Sequence, residues 1–233
     1  AEQTFTVQGL FLTADLVVTA PTNFEVSLTS GSGFTASVNI TPSSGTVAET
    51  TIYTRLKVGL TEGNHTGDIT ISSTSVVDKT ISVKGNAYGA PTYSLVLTGA
   101  YDGPLSGGTP KGIELYVLKD ISDLSLYGVS SITNGAGTSN GNIEYSFPAD
   151  AVTAGTYIYI ATESTQFNTF FGENPTYTSN VVSINGDDSI ELYEKGQIVD
   201  TFGDVDKDGS GELWDYLDGW AYRNSNTGPN GTT

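Results

Sequence analysis

The stretch Pro21-Thr22-Asn23-Phe24-Glu25-Val26-Ser27-Leu28-Thr29 decides how the chain is read. Phe24, Val26 and Leu28 alternate with Glu25, Ser27 and Thr29, so an extended backbone puts the apolar side chains on one face and the polar ones on the other. Turn-forming residues close both ends: Pro21-Thr22-Asn23 before it and Ser30-Gly31-Ser32-Gly33 after it. Working outward, the alternation returns in Ile52, Thr54, Leu56 and Val58, then in Ile69 and Ile71, then in Ile81 and Val83. Thr41-Pro42-Ser43-Ser44-Gly45 and Thr61-Glu62-Gly63-Asn64 supply turns between these runs. No long window carries the i, i+3, i+4, i+7 apolar stripe of a helix. Strands at this spacing predict an immunoglobulin-like β-sandwich over residues 1–90.

A break follows at Gly85-Asn86-Ala87-Tyr88-Gly89-Ala90-Pro91. Beyond residue 90 lie 11 of the 13 Tyr and both Trp, so the two halves need different cores. Residues 91–233 are expected to form a second all-β domain. Its strands are read at Tyr93–Leu97, Gly112–Leu118, the alternating Ile143, Tyr145 and Phe147, and the near-continuous apolar run Tyr157–Ala161, which suits a central strand. Ser189–Glu194 and Gln197–Asp200 flank Lys195-Gly196, a two-residue hairpin signal.

Composition removes several function classes. With no Cys there is no disulfide framework, thiolate metal site or Cys nucleophile. The net charge is −17, and it is uneven: residues 1–90 hold 7 acids and 4 bases, residues 91–233 hold 19 acids and 5 bases. A field of that sign repels a phosphate backbone, so direct nucleic-acid binding is not expected. No stretch reaches the ~20 apolar residues a membrane helix needs, so no membrane insertion is expected. There is no Met, so Ala1 reads as the start of a processed protein or an excised piece; the polar tail from Asn224 onward is expected to lead into further chain.

Three further blocks carry a resemblance. Lys111-Gly112-Ile113-Glu114-Leu115-Tyr116, Asp123-Leu124-Ser125-Leu126-Tyr127-Gly128 and Asn185-Gly186-Asp187-Asp188-Ser189-Ile190-Glu191-Leu192 resemble the bacterial lamin-tail domain. The closing segment, Gly203-Asp204 through Trp220-Ala221-Tyr222-Arg223, is similar to its Bacteroidetes branch. The resemblance spans roughly residues 92–233. It implies a second immunoglobulin-like sandwich with a last edge strand beyond the chain's end, used as an accessory module beside extracellular nucleases, phosphoesterases or adhesive repeats. Residues 3–88 resemble, less specifically, sandwich repeats of exported Bacteroidetes proteins, on the blocks Pro21–Ser27 and Thr51–Leu56. The expected fold class is therefore all-β, two immunoglobulin-like β-sandwich domains in tandem. The resemblance implies a secreted or cell-surface location and carries over no catalytic residue.

The sharpest local signal is Asp204-Val205-Asp206-Lys207-Asp208-Gly209-Ser210-Gly211-Glu212-Leu213-Trp214-Asp215, which fits the D-x-D-x-D-G calcium loop with an acid at position twelve. Ca²⁺ takes six to eight oxygens. Asp204, Asp206 and Asp208 stand at alternate positions, Gly209 is expected to take the positive φ of a sharp turn, the Ser210 carbonyl is freed to coordinate, and Glu212 and Asp215 complete the set. The flanks read as strands, so this is an isolated calcium loop, with Asp187 expected to stand outside it. The alternative is a solvated acidic hairpin.

Other candidates are weaker. His65, the sole histidine, reads as an exposed turn residue without catalytic partners. Asp187, Asp188 and Glu191 are close enough in sequence for two-carboxylate glycosidase chemistry, but Asp-Asp beside Gly reads as a turn. The rings of Phe167, Phe170, Phe171, Trp214, Trp220 and Tyr222 are either core or a sugar-stacking platform. The sequence thus predicts no enzyme but an exported adhesion or accessory module with a Ca²⁺-stabilised loop and a protein or glycan ligand. An accessory fragment of an extracellular hydrolase, nuclease or phosphoesterase, is the second reading; a carbohydrate-binding module is the third.

Overall fold

The structure, a computed structural model, describes residues 2–225 and 227–229; residues 226 and 230–233 of the polar tail lie outside it. The chain is all-β and divides into two compact units, residues 1–90 and 91–233.

The first unit has seven strands: β1 (Glu2–Gly9), β2 (Leu16–Thr19), β3 (Phe24–Ser27), β4 (Ser37–Ile40), β5 (Val47–Leu56), β6 (Gly63–Ser72) and β7 (Lys79–Ala87). They form two antiparallel sheets, ordered β1-β5-β3 and β4-β2-β6-β7. Val18 and Ile69 from one sheet meet Val26 and Ile52 from the other in a sealed core. Each such side chain contributes about 1.5–3 kcal/mol through burial.

The alternation from Phe24 stops sooner than the sequence implies. The buried Ser27 hydroxyl accepts from Thr29 N–H (2.9 Å) and bonds the Ser32 carbonyl (2.6 Å), bending the chain so that Leu28 is left outside. Val58 is exposed for a like reason, since β5 ends at Leu56. His65 departs from expectation in the other direction. Pairing of β6 with β7 runs out to Gly63 opposite Ala87, so the ladder draws His65 into a strand opposite Gly85.

The second unit contains β8 (Leu95–Leu105), β9 (Thr109–Val117), β10 (Tyr127–Ile132), β11 (Tyr145–Ser146), β12 (Tyr157–Ala161), a two-turn helix α1 (Thr165–Phe171), β13 (Tyr177–Thr178), β14 (Ser189–Glu194), β15 (Gln197–Phe202) and β16 (Trp220–Tyr222). The sheets run β11-β10-β14-β15 and β13-β12-β9-β8-β16, and Ile113, Leu115, Ile158, Val129 and Leu192 fill the space between them. β12 is flanked on both sides, as its apolar run implies, although its partnership with β13 is parallel. At Lys195-Gly196 both residues have positive φ (53° and 75°), the twist a two-residue hairpin needs. Helix α1 is too short to leave a periodic stripe: Phe167 alone is buried, and Gly172 ends it in the left-handed conformation. The expected strand through Ile143 shrinks to the two residues of β11.

Strand β14 is buried along its whole length, on both faces. Ile190 and Leu192 face the apolar core. The Gly-rich segment 135–141 folds over the opposite face, where Ser139 donates to Glu191 through its N–H (3.0 Å) and its hydroxyl (2.8 Å), and Tyr193 donates at 2.6 Å. Buried charges are paired elsewhere too: Lys111 reaches Asp102 at 2.6 Å, and Arg223 reaches Asp200 at 2.5 Å. Unpaired, each would be strongly destabilising.

Candidate metal centre

The acidic run lies where the sequence places it, between the end of β15 and the start of β16. Its backbone is a succession of tight turns: Lys207 N–H to Asp204 O (3.1 Å), Glu212 N–H to Gly209 O (2.9 Å), and Asp215 N–H to Glu212 O (3.1 Å). The carboxylates reinforce these turns. Asp204 accepts from Asp206 N–H and Asp208 from Ser210 N–H, both at 3.0 Å, while Asp215 accepts from Gly211 (2.8 Å) and Leu217 (3.0 Å). Short polar side chains commonly bond their own backbone this way.

The loop is fixed from beneath by the segment before β14. Gly209 N–H donates to Asp187 O (3.0 Å), Tyr216 N–H to Gly186 O (2.8 Å), and the Tyr216 hydroxyl to Asp188 O (2.9 Å). Gly186 has φ +94°, and a Cβ there would lie 2.4 Å from the Leu217 Cα. Trp214 is half-buried, edge-on to Phe202 with centroids 6.0 Å apart. It forms part of the packing under the loop.

Gly209 corrects the sequence reading. Its φ is not in the left-handed region, whereas Gly211 has φ +77°. Glycine at 209 is needed because a Cβ would meet the Trp214 ring at 2.5 Å and the Asp187 carbonyl at 2.8 Å. The turn's positive φ therefore falls two residues later than expected.

Asp204, Asp206, Asp208, Ser210, Glu212 and Asp215 are strung along this arc, all exposed but the half-buried Asp204. Among the described residues, no three acidic or histidine side chains converge closely enough to form a metal-holding group. What sequence reasoning missed is Asp187. Burial, and then the charges of Asp208 and Asp215, push its carboxyl above the usual range. It therefore belongs to the electrostatic neighbourhood of the loop, and its Oδ1 is buried with no hydrogen-bond partner. Nothing local in the sequence pairs it with residues twenty positions on; the anchoring bonds of the loop do.

The donor chemistry suits a hard cation, since every donor is oxygen: carboxylic at the five acids and a backbone carbonyl at Ser210. Asp204, Asp206, Asp208, Glu212 and Asp215 would supply carboxylates, and Ser210 its carbonyl. Lys207, 4.0 Å from Asp204, is the sole cation of the run.

The remaining candidates resolve differently. His65 takes two bonds, Nδ1 with the Asn23 amide (3.0 Å) and Nε2 with the Thr61 carbonyl (2.9 Å). Asp188 and Glu191 are buried and engaged. Asp188 accepts from Asn134 N–H (3.3 Å), and burial raises its carboxyl. Burial also pushes Glu191 up, but hydrogen bonds from Thr138, Tyr193 and Ser139 outweigh it and hold the carboxyl below its usual range. Of the six aromatics, Phe167 is core, while Phe170, Phe171, Trp220 and Tyr222 are exposed in part. No helix among the described residues is long and apolar enough to cross a membrane. No family model matches the chain, and no curated protein matches it.

Proposed function

We propose that the chain is a non-catalytic binding module, exported to the cell surface or secreted, whose second unit carries a loop stabilised by Ca²⁺. In this reading both units are immunoglobulin-like sandwiches, and the second is a lamin-tail-like domain. The observation that carries the calcium assignment is the orphaned Asp187 Oδ1, buried where the charges of Asp208 and Asp215 reach it, next to a run of five carboxylates that has one lysine for counter-charge. A divalent cation relieves that repulsion and supplies the missing partner. The reading as a binding module is supported by the state of the titratable groups: His65 is held by two bonds, and the acids at 102, 191, 194 and 200 serve structural contacts.

Isothermal titration with CaCl₂ tests the assignment. One site per chain with a dissociation constant of about 10⁻⁵ M is expected, tighter than the roughly 10⁻⁴–10⁻³ M of extracellular modules because the loop offers five carboxylates. Asp204→Ala and Asp208→Ala should each abolish the heat. Absence of a saturable heat in the unaltered protein would refute the assignment.

A further inference from the structure

The outer face of the five-stranded sheet carries an ordered set of rings. Sheet register sets Tyr159 beside Glu114, Glu114 beside Gly99, and Gly99 beside Tyr222, one row running across β12, β9, β8 and β16. A parallel row sets Tyr157 beside Tyr116. On the other side, Tyr101 stands beside Trp220, and α1 adds Phe170 and Phe171. Successive ring centroids lie 4.7–6.4 Å apart along this band.

The middle row is open at its Tyr222 end, while Tyr159 and Glu114 are half-buried. Gly99 has no side chain, and Tyr222 leans over it: a Cβ at 99 would meet the ring carbons Cδ1 and Cε1 at 3.1 and 3.2 Å. Tyr222 nevertheless stays 59% exposed and Trp220 53%. Glu114, half-buried between the two tyrosines, accepts from the Thr98 hydroxyl at 2.7 Å. Burial, and then the Glu114 charge, raise both the Tyr159 and the Tyr222 hydroxyls, so they stay protonated donors.

We propose that this row binds a neutral polysaccharide, with sugar rings laid on Tyr222 and Tyr159 and their hydroxyl groups bonded to Glu114. Each part of the surface argues for that ligand class. Exposed aromatic rings take the C–H faces of pyranose rings, and phenols and a carboxylate take hydroxyls. No Lys or Arg stands in these rows, and Glu114 sits at their centre, so an anionic ligand is repelled where a neutral, donor-rich one is matched. Tyr159 and Tyr222 lie three strand spacings apart, about 14 Å, which suits two or three linked sugars. The inference rests on the reading of the chain as a binding module and gives that module its ligand.

Native affinity electrophoresis of the full chain tests it, in gels containing mixed-linkage β-glucan, xyloglucan, galactomannan or dextran, with polygalacturonate and chondroitin sulfate as anionic probes. The chain should be retarded by at least one neutral polymer and by neither anionic one. Tyr222→Ala and Glu114→Gln should each weaken retardation at least tenfold with the melting temperature unchanged, while Tyr93→Ala, an exposed ring outside these rows, should not. Unretarded migration in all four neutral gels overturns the proposal, as does retention by the anionic polymers or retention undiminished in Tyr222→Ala. Binding of a hydrophobic dye that Tyr222→Ala removes, without any glycan retention, overturns it in favour of a protein-docking face. Release of reducing ends from a retained polymer would instead defeat the non-catalytic reading and leave the binding result standing.

Discussion

One residue under the loop, Gly186, and one buried ion pair, Asp200–Arg223, show where single side chains decide stability. Gly186 combines φ +94° with a Leu217 Cα that leaves no space for a side chain. Gly186→Ala is therefore expected to cost at least about 1–3 kcal/mol from backbone strain alone, measured by urea unfolding. Asp200 illustrates electrostatics. Burial raises its carboxyl and Arg223 opposes that shift, while Leu97 N–H donates to the same oxygen as Arg223. A raised carboxyl protonates more readily folded than unfolded. Its stabilising effect is thus full below the unfolded value of about 3.9 and is lost as pH rises through the folded one. Arg223→Met removes the opposing pull and raises the carboxyl further. The variant should lose about 3–5 kcal/mol at pH 7 and distinctly less at pH 4.5, where Asp200 can take up a proton. An equal loss at both pH values would contradict the pairing.

Among the elements, β14 teaches most about what a sequence conceals. Its alternation of Ile190 and Leu192 with Glu191 and Tyr193 reads as a strand with one wet face, and the strand itself was legible. Its second buried face was not, because the cover comes from residues 135–141, fifty positions earlier, whose glycines signal only a loop. Glu194 is the same case: its carboxylate takes the N–H groups of Thr92 (2.7 Å) and Tyr93 (2.9 Å), holding Tyr93 at φ +53° just ahead of β8. Such contacts join residues a hundred positions apart, and neither periodicity nor turn chemistry reports them. Glu194→Gln is expected to cost about 2–3 kcal/mol, the range for hydrogen bonds to a charged acceptor. Hydrogen exchange should show the Thr92 and Tyr93 amides losing protection first; unchanged protection there would count against the role. The acidic run shows the converse. Its position between strands was evident from composition, but Gly209 and Asp187 took their roles from packing against Trp214 and from bonds across the loop.

At the scale of the molecule, the chain is two all-β units with separate cores and separate charge. The first carries −3, and the second, which includes the acidic loop, −14. The alternation and the compositional break made this division readable, since each half supplies its own apolar face. If the loop takes Ca²⁺, the cation must act on the second unit alone. With a dissociation constant of about 10⁻⁵ M, about 1 mM free calcium contributes roughly 2.7 kcal/mol, which for a unit of this size raises melting by roughly 5–10 °C. Scanning calorimetry of the whole chain, with calcium and with chelator, tests this most directly. Only the transition assigned to residues 91–233, identified through Gly186→Ala, should move, and in Asp208→Ala it should stay where chelator puts it. A second-unit transition that calcium leaves in place, or an equal shift of both, would contradict the calcium-stabilised loop.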